Sequence, residues 1–272
     1  MNRYGIEELR QLMQRLRDPA TGCPWDLAQD FGSLVRHTLE ETYELVDAIE
    51  REDQRAIRDE LGDYLFQAVF YAQIASERGL FDFDDVTRAI VAKLLRRHPH
   101  VFPDGTLASR REAGVVPQTQ AIRETWERIK QSDRTARSEH SALDDVPLAL
   151  PALARAEKLQ RRASREGFDW RDWEGVMEKL AEETAELREA ARAGDAAARE
   201  EELGDLLFTC VNLARHLDVD AETALRRASA KFEQRFRTVE RLALERGVEL
   251  AEADAPSLDR LWRDAKALGA QG

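Results

Sequence analysis

The chain has 272 residues, of which 41 are Lys or Arg and 53 are Asp or Glu, so its formal net charge is −12. This length allows two domains with separate hydrophobic cores, and the acidic balance argues against nucleic acid as an electrostatic partner. The N-terminal segment is charged and amphipathic, which argues against a signal peptide, and no segment approaches the roughly 20 apolar residues of a membrane span. Cys23 and Cys210 form no disulfide framework. We expect a cytoplasmic protein without nucleic-acid or membrane partners.

In chain order, the first half predicts helices, and no strand-like alternation appears anywhere. Ser33 is the expected N-cap of the helix that carries Glu40-Glu41-Thr42-Tyr43-Glu44. His98 and His100 lie on either side of Pro99, which ends the third long helix. They could bind a metal, but the acidic motif described below favours a hard ion with oxygen ligands. The other predicted helices of this half span residues 6–16, 54–76, 84–97 and 121–130.

The second half repeats this plan after a polar, weakly periodic stretch flanked by Pro147 and Pro151. Asp172 is the expected N-cap of the helix that carries Glu182-Glu183-Thr184-Ala185-Glu186, and Asp220 caps a later one. Further helices are predicted over residues 152–163 and 196–217, and the helix capped by Asp220 is predicted to run to about residue 246. The last predicted helix starts at Pro256. The sequence therefore predicts an all-α protein with domains at 1–135 and 151–272, joined by a linker at 136–150.

Acidic residues are arranged symmetrically about Gly194, which supplies a turn between two helices of the second half. Glu186 precedes Gly194 by 8 positions and Glu202 follows it by 8, while Glu183 and Asp205 are each 11 away. In an antiparallel pair, equidistant residues lie at the same height, so the acids form two rungs about 4.5 Å apart. Facing carboxylates repel unless a cation or shared protons compensate them, and oxygen ligands suit Mg²⁺, Mn²⁺ or Ca²⁺ better than zinc.

The same arrangement occurs in the first half. Glu40 precedes Glu182 by 142 positions, and the other acids of the motif keep this offset. The first-half acids are Glu40, Glu41, Glu44, Glu60 and Asp63. Their midpoint falls at Glu52, in a polar stretch suited to a turn. Two matching arrangements indicate a tandem duplication.

The helix over residues 196–217 has adjoining apolar and polar strips. The predicted core strip contains Leu203, Leu206, Leu207, Cys210 and Ala214. The polar strip contains Glu202, Asp205, Thr209 and Asn212, and is expected to form the wall of a cleft. Basic and aromatic pairs at i, i+4 recur in both halves: Lys93 with Arg97, Trp126 with Lys130, Lys231 with Arg235, and Trp262 with Lys266. Beside a carboxylate–metal cluster, such cations are candidate phosphate ligands.

Together these motifs resemble the MazG nucleoside triphosphate pyrophosphohydrolases, in the tandem form. Supporting segments are Cys23-Pro24-Trp25-Asp26, Arg97-His98-Pro99-His100-Val101-Phe102, Gly167-Phe168-Asp169-Trp170 and residues 201–240. The resemblance covers nearly the whole chain. It implies cleavage of NTPs or dNTPs between the α- and β-phosphates to NMP and pyrophosphate, with Mg²⁺ as cofactor and Mn²⁺ as an alternative. It also implies that the protein is a homodimer, and that the second of the two repeats in each chain carries the main activity.

The resemblance assigns roles to individual residues of the second copy. The Mg²⁺ ligands would be Glu183, Glu186, Glu202 and Asp205. Glu182 matches the remaining acid of the motif, and its role in orienting water or a second ion is our own expectation. The substrate ligands would be Lys179, Lys231, Arg235, Trp262 and Lys266. The second, weaker site would use Glu40, Glu41, Glu44, Glu60, Asp63, Lys93, Arg97, Trp126 and Lys130.

One difference between the copies bears on their activities, because Lys179 corresponds to His37. Histidine is mostly neutral near pH 7 and is a poorer phosphate ligand, so we expect the second site to dominate. A rival hypothesis is a helical scaffold whose acids bind metal for stability, but the duplicated basic pairs argue against it. A hybrid is also open, in which the first copy serves dimerisation and regulation.

Overall fold

The computed structural model describes residues 4–112, 114, 118–119, 121–122, 125–126, 128–129 and 141–269. All the regular elements within these residues are helices, which confirms the all-α prediction. The chain divides into two compact units, Met1–Asp133 and Arg134–Gly272. None of the helices in the described part is both long and apolar enough to cross a bilayer.

The first unit contains five helices before residue 98: α1 (Ile6–Leu16), α2 (Pro24–Leu27), α3 (Val35–Glu50), α4 (Gln54–Glu77) and α5 (Phe83–Arg97). α3 and α4 pack as a hairpin. Its turn passes through Glu52, which has a φ of 57° and lies at the predicted midpoint. Asp53 then caps α4 by accepting hydrogen bonds from the backbone N–H groups of Arg55 and Ala56. The core joins α1, α4 and the segment before α3 through Met13, Leu34, Val69, Phe70 and Ile74.

The predicted N-cap of α3 is wrong. α3 begins at Val35, its N-cap is Leu34, and no side chain caps it. Ser33 instead closes the preceding turn with Asp30: the Asp30 N–H donates to Ser33 Oγ at 2.9 Å, and the Ser33 N–H donates to Asp30 Oδ1 at 2.8 Å. Serine side chains bond readily to nearby backbone groups in turns, so a local alternative competed with the helix cap.

Arg17 ties three segments of the first unit together. Its guanidinium donates to both carboxylate oxygens of Glu77, at 2.9 and 2.7 Å, and to the backbone carbonyls of Asp26 and Gln29. The Arg17 side chain is only 7% exposed, and that of Glu77 is 33% exposed. Hydrogen bonds from Arg17 hold the pKa of Glu77 below its usual 4.5. Arg17 therefore anchors the loop containing α2 to the end of α4.

We predict that Arg17→Met lowers the stability of the first unit by about 2–3 kcal/mol at pH 7, because Glu77 and two carbonyls lose a buried donor. The stabilisation by the ion pair is complete above the ordinary glutamate pKa and is lost as the pH falls through the lower pKa of Glu77 in the folded protein. The stabilities of wild type and variant should therefore converge in acid. Hydrogen–deuterium exchange of α1 and α4 measures the effect. Arg15→Met, an exposed change two residues earlier in the last turn of α1, is the control. Equal protection in both variants would contradict the role of Arg17.

The second unit contains α6 (Ala152–Arg165), α7 (Trp173–Ala193), α8 (Ala196–His216), α9 (Ala221–Glu245) and α10 (Ala255–Gly269). α7 and α8 form the second acidic hairpin, whose turn uses Gly194 at a φ of 76°, a conformation that glycine adopts without strain. Asp172 and Asp220 cap α7 and α9 as predicted. α9 and α10 enclose a core of Val239, Leu242, Ala243, Leu261 and Ala265.

The prediction of which strip of α8 is buried is wrong. Thr209 and Asn212, from the polar strip, are 6% and 3% exposed, whereas Leu203 and Leu207 are 47% and 50% exposed. Cys210, also assigned to the core strip, is exposed. Burial is confined to Thr209 and Asn212, since Glu202 is half-buried and Asp205 is exposed. Asn212 is buried with a polar partner, because Arg215 donates to its side-chain oxygen at 3.0 Å. α6 packs against α8, and Gln160 on α6 donates to the backbone carbonyl of Phe208 at 2.8 Å.

Candidate active site

The second hairpin brings three of its acids together. One carboxylate oxygen from each of Glu183, Glu186 and Glu202 lies within 4.8 Å of the others. Glu183 is buried, Glu202 is partly buried and Glu186 is exposed, so the cluster lies at the edge of the hairpin with one side open to solvent. The turn at Gly194 determines this meeting, since it places residues of α7 opposite residues of α8.

The first hairpin forms a corresponding cluster from Glu41, Glu60 and Asp63, again with oxygens within 4.8 Å. Asp205 of the second hairpin and Glu44 of the first are not part of these groups of three. Each hairpin therefore unites three of the four acids in its two predicted rungs, although the excluded position differs between the copies.

The excluded acids still act electrostatically on the clusters. Burial is the largest cause that raises the pKa of Glu202, and the negative charges of Glu186, Glu183 and Asp205 raise it further. Burial likewise raises the pKa of Glu60, followed by Glu44 and Asp63. These shifts show negative charge that the neighbouring groups do not fully compensate. Three convergent carboxylates with excess charge and no nitrogen or sulfur donor fit a hard divalent cation such as Mg²⁺ or Mn²⁺.

Lys179 is bonded directly to the second cluster. Its ammonium lies 2.8 Å from Glu183 Oε1 and 2.9 Å from Glu182 Oε1. Hydrogen bonds to Glu183 and then Glu182 raise the Lys179 pKa, so it is cationic at neutral pH. In the first copy, His37 Nδ1 lies 3.1 Å from Glu40, the counterpart of Glu182. Of the predicted substrate ligands in the described residues, Lys179 is thus the one bonded to an acidic cluster.

The other predicted substrate residues of the second copy lie on α9 and α10. Lys231 is exposed and Arg235 partly exposed on α9, which packs against α8. Trp262 on α10 packs against Phe232, with ring centroids 5.5 Å apart, and the Lys266 ammonium lies 5.7 Å from the Trp262 ring centroid. These rings border an apolar groove of about 480 Å³. It is lined by Phe232, Phe236, Val239, Leu250, Ala251, Leu258 and Trp262.

The corresponding aromatic residue of the first copy has different neighbours. Trp126 lies against His98 and His100, with ring centroids 5.2 and 6.5 Å away. His98 Nδ1 is 2.7 Å from the carbonyl of Leu94, and burial lowers the pKa of His100. In the same unit, Lys93 is exposed and Arg97 is partly buried. Lys130 lies outside the described residues.

The structure also reveals an anchor that the sequence analysis missed. Asp169 accepts hydrogen bonds from Arg215 and His216 at the end of α8, and Arg215 also donates to the buried Asn212. Burial of Asp169 opposes ionisation, but these two donors outweigh it and lower its pKa. The loop before α7 is therefore tied to α8. The segment Gly167-Phe168-Asp169-Trp170 was noted for its resemblance alone, since nothing local identifies a partner 46 residues away.

A family model described as the MazG nucleotide pyrophosphohydrolase domain matches the chain twice, over residues 29–102 and 171–240. The chain belongs to the MazG family. The two matched segments contain the two acidic hairpins, whereas the helix of Trp262 lies outside them. The predicted family and enzyme class are thereby confirmed.

Relatives resemble the chain over nearly its whole length. A protein of Escherichia coli strain K12 named nucleoside triphosphate pyrophosphohydrolase is 50% identical over 96% of this chain and 97% of its own length. A Thermotoga maritima protein named nucleoside triphosphate pyrophosphohydrolase/pyrophosphatase MazG is 44% identical, with 98% of each chain covered. The uncharacterised Bacillus subtilis protein YabN is 41% identical over 97% of this chain, which spans 52% of YabN.

Proposed function

We propose that this MazG-family enzyme hydrolyses nucleoside and deoxynucleoside triphosphates between the α- and β-phosphates, releasing NMP and pyrophosphate in a Mg²⁺-dependent reaction. Mn²⁺ is an alternative cofactor. The observation that carries the proposal is the cluster of Glu183, Glu186 and Glu202, whose oxygens lie within 4.8 Å of one another. The names of the E. coli and T. maritima relatives support the substrate class.

In this proposal Glu183, Glu186, Glu202 and Asp205 hold the ion, and Glu182 orients the attacking water. Bound Mg²⁺ would neutralise the charge that develops on the phosphate oxygens and lower the pKa of the attacking water. The basic residues would bind the phosphates, Lys as a point charge and Arg as a planar fork. These residues are Lys179, Lys231, Arg235 and Lys266. Trp262 would pack against the nucleotide.

We further propose that the second site carries most of the turnover. Its phosphate-binding candidate Lys179 is a permanent cation, whereas the first site has His37 at that position. The proposed domains are residues 1–135 and 151–272, with a linker at 136–150. The contact boundary after residue 133 supports the N-terminal limit. Arg162 on α6 donates to the carbonyls of Ala142 and Asp144, so the end of the proposed linker packs against the second unit.

A homodimer is part of the same proposal. Leu203, Leu207 and Phe208 form a half-exposed apolar strip on α8, and Leu61 and Leu65 are similarly exposed on α4. Helices with such strips commonly bury them against a partner across a two-fold axis. The charge of −12 favours a small-molecule partner over nucleic acid. The two free cysteines are consistent with the reducing cytoplasm.

Product analysis in ¹⁸O-labelled water tests the reaction. Each NTP and dNTP is incubated with enzyme and Mg²⁺, and the products are resolved by ion exchange and mass spectrometry. We expect NMP and pyrophosphate, with ¹⁸O in one product only, which identifies the attacked phosphorus. NDP with phosphate would contradict α–β cleavage. Absence of turnover with retained metal-dependent nucleotide binding would favour a nucleotide-binding module instead of an enzyme.

A further inference from the structure

Glu183 is the most buried acid of the second cluster, with 4% relative exposure. A buried carboxylate is costly unless a cation or hydrogen-bond donors compensate its charge. Here the compensating group is Lys179, whose ammonium lies 2.8 Å from Glu183 Oε1. Lys179 is one turn away on α7, at i, i+4, and its side chain is 33% exposed, so its ammonium can reach solvent without unfolding the helix.

The same carboxylate belongs to the group that fits a divalent ion, since Glu183 also lies within 4.8 Å of the oxygens of Glu186 and Glu202. Glu183 therefore has two competing cationic partners. Lys179 is repelled by a second positive charge at the cluster and loses its acceptor when Glu183 coordinates that charge. An ammonium displaced in this way stays within one side-chain length of the phosphates that the site would hold.

We propose that Lys179 is an internal counter-ion that competes with the divalent ion for Glu183 and, when displaced, binds a phosphate of the substrate. The inference rests on the function proposed above for this site. Lys179 then weakens binding of the metal alone and strengthens binding of the metal together with nucleotide. Metal and nucleotide binding are thereby coupled, and the coupling is reciprocal.

The first site lacks this device. His37 bonds to Glu40 at 3.1 Å, and Arg36 Nε donates to His37 Nε2 at 3.2 Å. The ring thus bonds to the counterpart of Glu182 rather than to that of Glu183. Among the described residues no ion pair reaches Glu41, the counterpart of Glu183. The proposed competition is therefore specific to the second site.

The test measures metal binding directly in the full-length protein. The parent carries Glu41→Gln and Asp63→Asn, which disable the first cluster. Free Mn²⁺ is followed by electron paramagnetic resonance, without nucleotide and with an ATP analogue whose α–β bridge is methylene. In this parent, Lys179→Gln should bind Mn²⁺ alone about tenfold more tightly, and the Mn²⁺–analogue complex about tenfold more weakly.

Two further variants separate the mechanism from a general charge effect. Arg192→Gln removes the same charge from an exposed position on α7 and should change both affinities less than about twofold. Lys179→Arg should restore the weak binding of Mn²⁺ alone. Circular dichroism confirms that each variant is folded. If Lys179→Gln leaves Mn²⁺ binding unchanged or weakens it, this inference fails while the proposed reaction stands. If the parent binds no Mn²⁺, the proposed metal site fails with it.

Discussion

Glu186→Gln is expected to reduce kcat by about 10³-fold, whereas Glu44→Gln is expected to leave at least half of the activity. Gln matches Glu in shape but lacks its charge, so the change removes one anionic ligand from the cluster of Glu183, Glu186 and Glu202. Glu44 lies at the same motif position, yet it is outside the first cluster, and we propose that the first site contributes little. Pyrophosphate release under saturating Mg²⁺ and substrate measures both effects.

The matched control for this comparison is Glu189→Gln, which removes one charge from an exposed position on α7 and should preserve kcat. Metal titration of Glu186→Gln separates loss of ligation from loss of fold, because affinity for Mg²⁺ should fall while the helical content stays constant. If Glu44→Gln alone abolished turnover, the ranking of the two sites would be reversed.

Leu207→Asp is expected to raise the dissociation constant of the proposed homodimer by at least about 100-fold. Leu207 is 50% exposed in the single chain, beside Leu203 and Phe208 in the strip of α8. Burial of this strip against a second copy would remove apolar surface from water, and a carboxylate placed there would be desolvated without a partner. Analytical ultracentrifugation over a range of concentrations measures the equilibrium.

Leu148→Asp provides the comparison, because Leu148 is 84% exposed and lies outside the helices, so it should leave the dimer intact. Thermal unfolding verifies that the α7–α8 hairpin persists in both variants. A wild-type chain that sediments as a monomer at micromolar concentration, or a Leu207→Asp variant that remains dimeric, would refute the proposed interface.

Local signals in the sequence accounted for the hairpins that carry the acids. Helical periodicity located α4 and α8 to within one residue of their ends, because the apolar spacing and the turn residues lie within the elements themselves. Gly194 adopts a positive φ at the predicted turn, and Asp172 caps α7 through a bond to a residue three positions away. Ser33 shows the limit of such signals, since the same side chain could cap a helix or close a turn.

Several properties of the site depend on contacts that no local pattern specifies. Three acids converge in each hairpin, whereas the sequence spacing predicts that all four rung positions take part equally. The positions of the oxygens in the folded chain leave Asp205 and Glu44 outside these groups. Asp169 finds Arg215 across a separation of 46 residues, and only the folded chain brings them together. The i, i+4 spacing of Lys179 and Glu183 is compatible with an ion pair between them. Whether Lys179 binds Glu183 or stays in solvent depends on the burial of Glu183.

By itself the sequence determined the all-α class, the duplication, the acidic hairpins and the family, because these follow from periodicity, from spacing along the chain and from motif identity. The tertiary structure decided which strip of α8 faces inward. A helix with adjoining polar and apolar strips can bury either one, and hydrophobicity alone favours the leucines. Arg215, on the same helix, satisfies the side-chain oxygen of Asn212 and also donates to Asp169 in the loop before α7. That satisfaction allows Asn212 to be buried and leaves Leu207 at the surface.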